Sequence, residues 1–434
     1  MPSSSPKVVQ GWAMYDWANS VYNLVITTTF FPAYYAAITN PSRPGFEKGV
    51  YFLGRYYVNT EIKDYVLATG FFIIALLSPI LSSIADYRGN KKNFMRFFCY
   101  LGALSCSLLF FFDSDTVTIG LFCFMLAGIG FYGSQVFYNS YLPDITEEAD
   151  RDRVSAKGYT YGYIGSVILQ MIGFALVIYA GDDPAQTKLS LKLTFLLVGV
   201  WWISFAQIPF RRLPDTSRSE RKSHKHVLVN GFHELKIVWQ QMSHMPVLKR
   251  FLFSFLFYSM GVQTVMLVAI DFGLKELHLP NDRLILVAVV IQLVAIAGAI
   301  GMSRLSAVWG NFKVLMLTVS LWITVCISGY FVQAEAHFYV LAALVGLVMG
   351  GIQSMSRSTY SKLIPPTRDT TSFFSFYDVT EKMAIVVGLF CFGYIDGRFG
   401  IRQSIISLLI FFIIGLAGLY STYRQSKKPL PSVA

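Results

Sequence analysis

Three ionisable residues lie near the middle of one candidate membrane span: Asp378, Glu381 and Lys382 fall between Phe373 and Ile395. Asp378 and Lys382 are four positions apart, the spacing at which two side chains meet on one helix face. A carboxylate beside an amine in low dielectric holds its proton with a strength that its partner sets. Such a group releases a proton when a cation comes close and recovers it when the cation leaves, which is the chemistry of proton coupling; a static ion pair is the alternative. A second set, Trp12, Asp16, Asn19 and Asn23, recurs at intervals of four, three and four and shares one helix face. A carboxylate, two amides and an indole on one wall suit a polar organic solute, and Tyr15, Tyr22, Tyr161 and Tyr163 add aromatic surface. Asp16 is also the second candidate proton carrier, with structural pairing as its other reading. Gln135 and Asn139, with Tyr138 between them, and then Gln353 and Arg357 form two further polar steps, each glutamine two residues after a glycine, Gly133 or Gly351. Arg357 could hold a substrate carboxylate through two parallel N–H bonds, neutralise Asp16 or Asp378, or stretch toward lipid headgroups.

The elements that carry these residues must be unusually apolar. Of 434 residues, 54% are hydrophobic and 14% charged, against about a quarter charged in soluble domains. Twelve stretches are long enough to span a bilayer, each needing about 20 mostly apolar residues: Trp12–Ile38, Lys63–Ala85, Phe94–Phe112, Val117–Tyr141, Gly158–Ala180, Leu189–Phe210, Phe251–Gly273, Leu284–Leu305, Val314–Gln333, Phe338–Leu363, Phe373–Ile395 and Ile401–Tyr423. They are apolar all round, as in Leu284 to Ala299, so they read as helices and not as the alternating strands of a barrel. The longest break divides the chain into an N-terminal six-helix bundle (1–210), a linker (211–250) and a C-terminal six-helix bundle (251–434). In the linker, Leu228, Phe232, Leu235, Trp239 and Met242 make one apolar stripe, expected on a helix lying flat on the membrane.

Most of the 36 Lys and Arg lie in the N-terminus, the even-numbered loops and the C-terminal tail. By the positive-inside rule these face the cytoplasm, so the net charge of +11 describes topology and not nucleic-acid binding. The start MPSSSPKVVQGW has no apolar core of a cleavable signal, so the first span is expected to remain. Cys99, Cys106, Cys123, Cys326 and Cys391 all fall in apolar runs without metal or redox spacing. No nucleotide loop, metal-ligand cluster or catalytic triad is visible, so no cofactor, metal or enzymatic activity is expected. Gly128 and Gly130 read as helix packing, and Gln170, Gln263 and Gln292 as interhelical hydrogen bonding.

The two halves repeat weakly. SSIADYRGNKK (82–92) follows the second span, and SRLSAVWGNFK (303–313) follows the eighth, with Gly310 opposite Gly89 and Lys313 opposite Lys92. The first copy, with Asp86, Arg88, Gly89, Lys91 and Lys92, resembles the loop motif of the major facilitator superfamily. That resemblance implies twelve helices in two pseudo-symmetric six-helix bundles and a charged latch at the inner gate. Ser82 stands where the family has glycine, and Ala307 replaces the aspartate in the second copy, so the latch is expected in the first half. Four further stretches are similar to the vacuole-effluxer-like branch, which includes fungal autophagy-related amino-acid effluxers. They are GWAMYDWANSVYNLVITTTFFPAYY (11–35), QVFYNSYLPDI (135–145), RVSAKGYTYGYIGS (153–166) and GGIQSMSRSTYSKLIPPTRDTTSFFSFYDVTEKMA (350–384). Ser375 and Glu381 stand where those relatives tend to have glycine. The leading expectation is a monomeric, proton-coupled secondary transporter of a small organic solute in a bacterial inner membrane. The resemblance implies amino-acid or small-peptide efflux, with cation–proton antiport or a sugar or drug facilitator as the alternatives. In that fold helix 1 lines the cavity, which makes Trp12, Asp16, Asn19 and Asn23 a candidate substrate wall. A membrane sensor that binds without transport is the reading from another class.

Overall fold

A computed structural model describes residues 5–215 and 227–428. Nearly all of it is helix, because each apolar stretch must satisfy its backbone internally. Among the described residues ten helices are long and apolar enough to cross a membrane. The other two spans of the sequence reading fall on helical segments with polar interruptions. One is the run Pro6–Ile38, and the other is Thr370–Phe399, which carries Asp378, Glu381 and Lys382.

Contacts divide the chain into two units: 5–139 with 161–215, and 140–160 with 227–428. The stretch 140–160, part of the N-terminal bundle in the sequence reading, thus groups with the C-terminal helices. The first unit opens with α1 (Pro6–Val21), a π-wound segment (Tyr22–Phe30) and α2 (Phe31–Ile38). The cause of the wide winding is local. Pro32 has no N–H for the Thr28 carbonyl, and the hydroxyls of Thr28 and Thr29 both donate to the Leu24 carbonyl, at 2.8 and 3.0 Å. A hairpin unforeseen in the sequence follows, β1 (Val50–Phe52) pairing antiparallel with β2 (Arg55–Tyr57). Its two-residue turn puts Leu53 and Gly54 at φ 46° and 91°. That is the turn for which Asn-Gly is the usual signal, so Leu-Gly gave no warning.

The unit continues with α3 (Asn59–Arg88), α4 (Lys91–Leu108) and α5 (Val117–Ser140). After the short α6 (Leu142–Ile145) come α7 (Arg151–Ala180), whose later part belongs here, and α8 (Pro184–Arg212). α8 packs on α1 and α4. At the far end of α4, Asp113 accepts from Lys188 at 2.5 Å and Lys192 at 3.0 Å. Burial pushes its carboxyl up, but the two lysines outweigh that and hold it well below the usual carboxylate range.

The second unit holds α9 (Val227–Ser243), α10 (Pro246–Glu276), α11 (Asn281–Trp309), α12 (Asn311–Phe331), α13 (Glu335–Leu363), α14 (Thr370–Phe399), α15 (Ile401–Ser407) and α16 (Leu409–Ser426). α11 and α13 pack backbone to backbone: a Cβ on Gly346 or Gly350 would come within 2.4 or 2.0 Å of the carbonyl oxygens of Ile291 and Ala295. Small residues permit that approach. α9 forms as expected, and one side of it packs on protein. Val238 and Met242 are buried, while Trp239 is 61% exposed and lies over the Phe376 ring at 5.6 Å. Met242 of the apolar stripe is thus turned inward, where α9 packs on α10 and α14. The side chains of Leu228 and Phe232, and the basic segment 216–226, lie outside the described residues.

Candidate functional site

In the first unit the helix-1 face is assembled around one tyrosine. The Trp12 indole N–H donates to the Tyr138 carbonyl at 2.9 Å, and the two rings stack at 4.5 Å. The Tyr138 hydroxyl donates to Asp16 Oδ2 at 2.7 Å. Trp12 and Asp16 are thereby fastened to α5 through one residue, Tyr138. Asn19, a turn further on, is fully buried, and neither atom of its amide has a hydrogen-bond partner. A buried amide without partners is rare. Asn23, Gln135 and Asn139 are each partly exposed within the same unit. Tyr138 is the tie that composition alone did not rank above its neighbours.

In the second unit Lys382 and Asp378 form a buried ion pair one helical turn apart. Glu381 is held differently. It accepts from Gln263 Nε2 at 3.0 Å, lies 3.8 Å from Lys382 Nζ, and keeps 26% of its side chain exposed. The mid-helix trio thus contains one sealed carboxylate, Asp378, and one on a partly exposed side chain, Glu381. Gln353 contacts Met266 Sδ at 3.6 Å. Arg357 does not stretch toward headgroups: it is 1% exposed. Its Nε donates to Ser155 Oγ at 3.0 Å and its Nη2 to the Ser155 carbonyl at 2.8 Å, with Tyr159 beneath the guanidinium at 4.1 Å. The polar partners of Arg357 include the first turns of α7.

Beside it lies a cluster that sequence reasoning missed. Asp152 accepts from Ser306 Oγ, Asn311 Nδ2 and Lys362 Nζ, each at 2.7 Å. Ser306 and Asn311 belong to the second copy of the loop motif, whose own aspartate position is Ala307. The missing carboxylate was visible; the residue that replaces it was not, because α7 is remote in sequence. In the first copy, Asp86 and Lys91 are buried, Arg88 is exposed, and Lys92 pairs with Asp215 at 2.7 Å. Gly89 caps α3 in the left-handed region at φ 66°, a conformation glycine adopts at little cost. Among the described residues no three His, Cys, Asp or Glu side chains lie together as metal ligands.

The family described as "Vacuole effluxer Atg22 like" matches residues 4–150 and 146–429, almost the whole chain. The chain belongs to the vacuole effluxer Atg22-like family. The uncharacterized MFS-type transporter YxiO of Bacillus subtilis is 32% identical over 94% of this chain and 93% of that protein. The human organic anion transporter MFSD10 superposes with a TM-score of 0.74 at 11% identity, covering 96% of this chain and all of that one. The E. coli fucose:proton symporter FucP gives 0.67 at 13%, over 96% and 97%. The Atg22-like chain is thus an all-α, multi-pass membrane protein of the major facilitator fold, and its relatives are transporters.

Proposed function

We propose that this Atg22-like protein is a secondary active transporter that exports a small organic solute, an amino acid or small peptide, across a bacterial inner membrane by alternating access, driven by protons. The observation that carries the reading is the partly exposed Glu381 side chain beside the sealed Asp378–Lys382 pair in the middle of α14. An ionisable group inside a span is costly and is kept for a pathway or a relay. Lys382 within reach of both carboxylates gives Glu381 a partner whose distance sets its proton affinity. Trp12, Asp16, Asn19, Asn23, Gln135 and Asn139 in one unit, and Gln353 and Arg357 in the other, are the proposed substrate contacts. Both termini and the basic loops are assigned to the cytoplasm. Asp86, Arg88, Gly89, Lys91 and Lys92, together with the Asp152 cluster, are assigned to the inner gate.

Reconstituted protein tests this directly. Counterflow of labelled amino acids should occur in proteoliposomes, and a pH gradient should drive accumulation. Glu381→Gln should lose pH-driven accumulation while keeping downhill exchange, because exchange needs only the loaded carrier to change faces. Full accumulation by that variant would move the proton site elsewhere, with Asp16 next. Ligand-dependent stabilisation without any counterflow would replace transport by sensing.

A further inference from the structure

We propose that the cleft between the first turns of α7 and the last turns of α11 binds the phosphate group of an anionic membrane lipid. The cleft encloses about 770 Å³, and its charged and hydroxyl lining includes Asp152, Arg153, Lys157, Ser303, Arg304 and Lys362. It lies at the ends of two spans, Glu148–Ala180 and Arg283–Trp309. In a chain that crosses a bilayer, span ends are where headgroups lie.

Charge selects the ligand. The lining carries two carboxylates, Asp150 and Asp152, against four cations, Arg153, Lys157, Arg304 and Lys362. Asp150 is matched by Arg153 at 2.9 Å and Asp152 by Lys362 at 2.7 Å. Cations thus outnumber carboxylates in the lining by two, and of the cations Arg304 is exposed with no ion pair among the described residues. A phosphodiester carries one negative charge and acceptor oxygens for guanidinium and hydroxyl donors. Basic pockets between membrane helices hold such headgroups.

The neighbouring apolar surface selects a lipid over a soluble phosphate. Ala156, Ile300 and Ala307 share the lining with the cations. Just beyond, Val308 and Trp309 are 80% and 51% exposed, and an exposed indole at a span end is the usual anchor at headgroup depth. A phosphate seated in the cleft stands beside Lys362, the cation that Asp152 holds, so lipid occupancy and the Asp152 contact draw on the same charge.

Native mass spectrometry of the purified full-length protein tests the site, with phosphatidylglycerol, phosphatidylcholine and glycerol phosphate as probes. One cation near a membrane surface is worth about fivefold in affinity. The tightest phosphatidylglycerol site should therefore weaken about 25-fold in the Lys157→Gln/Arg304→Gln double variant. Arg304→Lys should stay close to wild type, and phosphatidylcholine should not distinguish the proteins. Wild-type affinity for phosphatidylglycerol in the double variant overturns the proposal. Displacement of the lipid by an equal concentration of glycerol phosphate also overturns it, in favour of a soluble phosphate ester. Should the double variant melt early without lipid, Arg304→Lys against Arg304→Gln decides by charge alone.

Discussion

Asp152 illustrates how a carboxylate lost at one position can be supplied from another. The second loop motif has Ala307 where its counterpart has Asp86, and Asp152 reaches Ser306 and Asn311 on either side of that gap. If the Asp152–Lys362 contact is an energetic latch, Asp152→Asn and Lys362→Gln should each lower thermal stability, and the double variant should lose less than the sum. The coupling expected for a charged hydrogen bond is about 1.5–3 kcal/mol; strictly additive losses would mean the contact is incidental. Asp113 offers a pH signature at the same scale. Its folded pKa lies below the unfolded value near 4, so its contribution is complete above about pH 4 and is lost as pH falls through the folded value. Asp113→Asn keeps the capping amide oxygen and removes only the charge. It should melt lower than wild type at pH 7, and the gap should close in acid when both are followed by thermal shift. A gap that persists at low pH would assign the loss to packing. The Asp378–Lys382 pairing was legible because both residues lie on one helix. The ties of Asp16 to Tyr138 and of Arg357 to Ser155 were not, because each joins helices whose register no local spacing specifies.

Among the elements, the glycines of α13 matter most. Gly350→Val would drive its side chain into the Ala295 carbonyl, and overpacking of that kind costs about 1–3 kcal/mol. The variant should express poorly or melt early, whereas Gly301→Ala on α11, where a Cβ meets nothing within 4 Å, should behave as wild type. Equal behaviour of the two would remove the backbone contact from the stability account. The long apolar elements were legible as spans because hydrocarbon imposes both a length and a composition. The π winding of residues 22–30 was not, since it depends on Thr28, Thr29 and Pro32 acting together. Which side of α9 packs on protein was not legible because Val238 and Trp239 are adjacent and both apolar. Periodicity of that helix admits either neighbour, and only packing chose Val238.

For the whole molecule, orientation is the property most simply checked. A cysteine at Tyr56, in the exposed hairpin, should react with an impermeant maleimide added to intact cells. One at Ser426, near the end of α16, should react only after permeabilisation. The reverse pattern would invert the assignment of both termini. The two-bundle plan was legible from the spans and the repeated loop motif, while the grouping of 140–160 with the C-terminal helices was not. The glycine contact between α11 and α13 also has a mechanical consequence. It makes a fulcrum of Gly350, and Lys362 lies about 18 Å along the same helix at 1.5 Å per residue. A tilt of only about 5° about that point swings the lysine end by roughly 1.6 Å. Added along its line, that carries a hydrogen bond past the roughly 3.2 Å at which it fails; the Asp152 contact starts from 2.7 Å. The helix pair is a lever with a short throw, and breaking its grip requires neither unwinding nor bending.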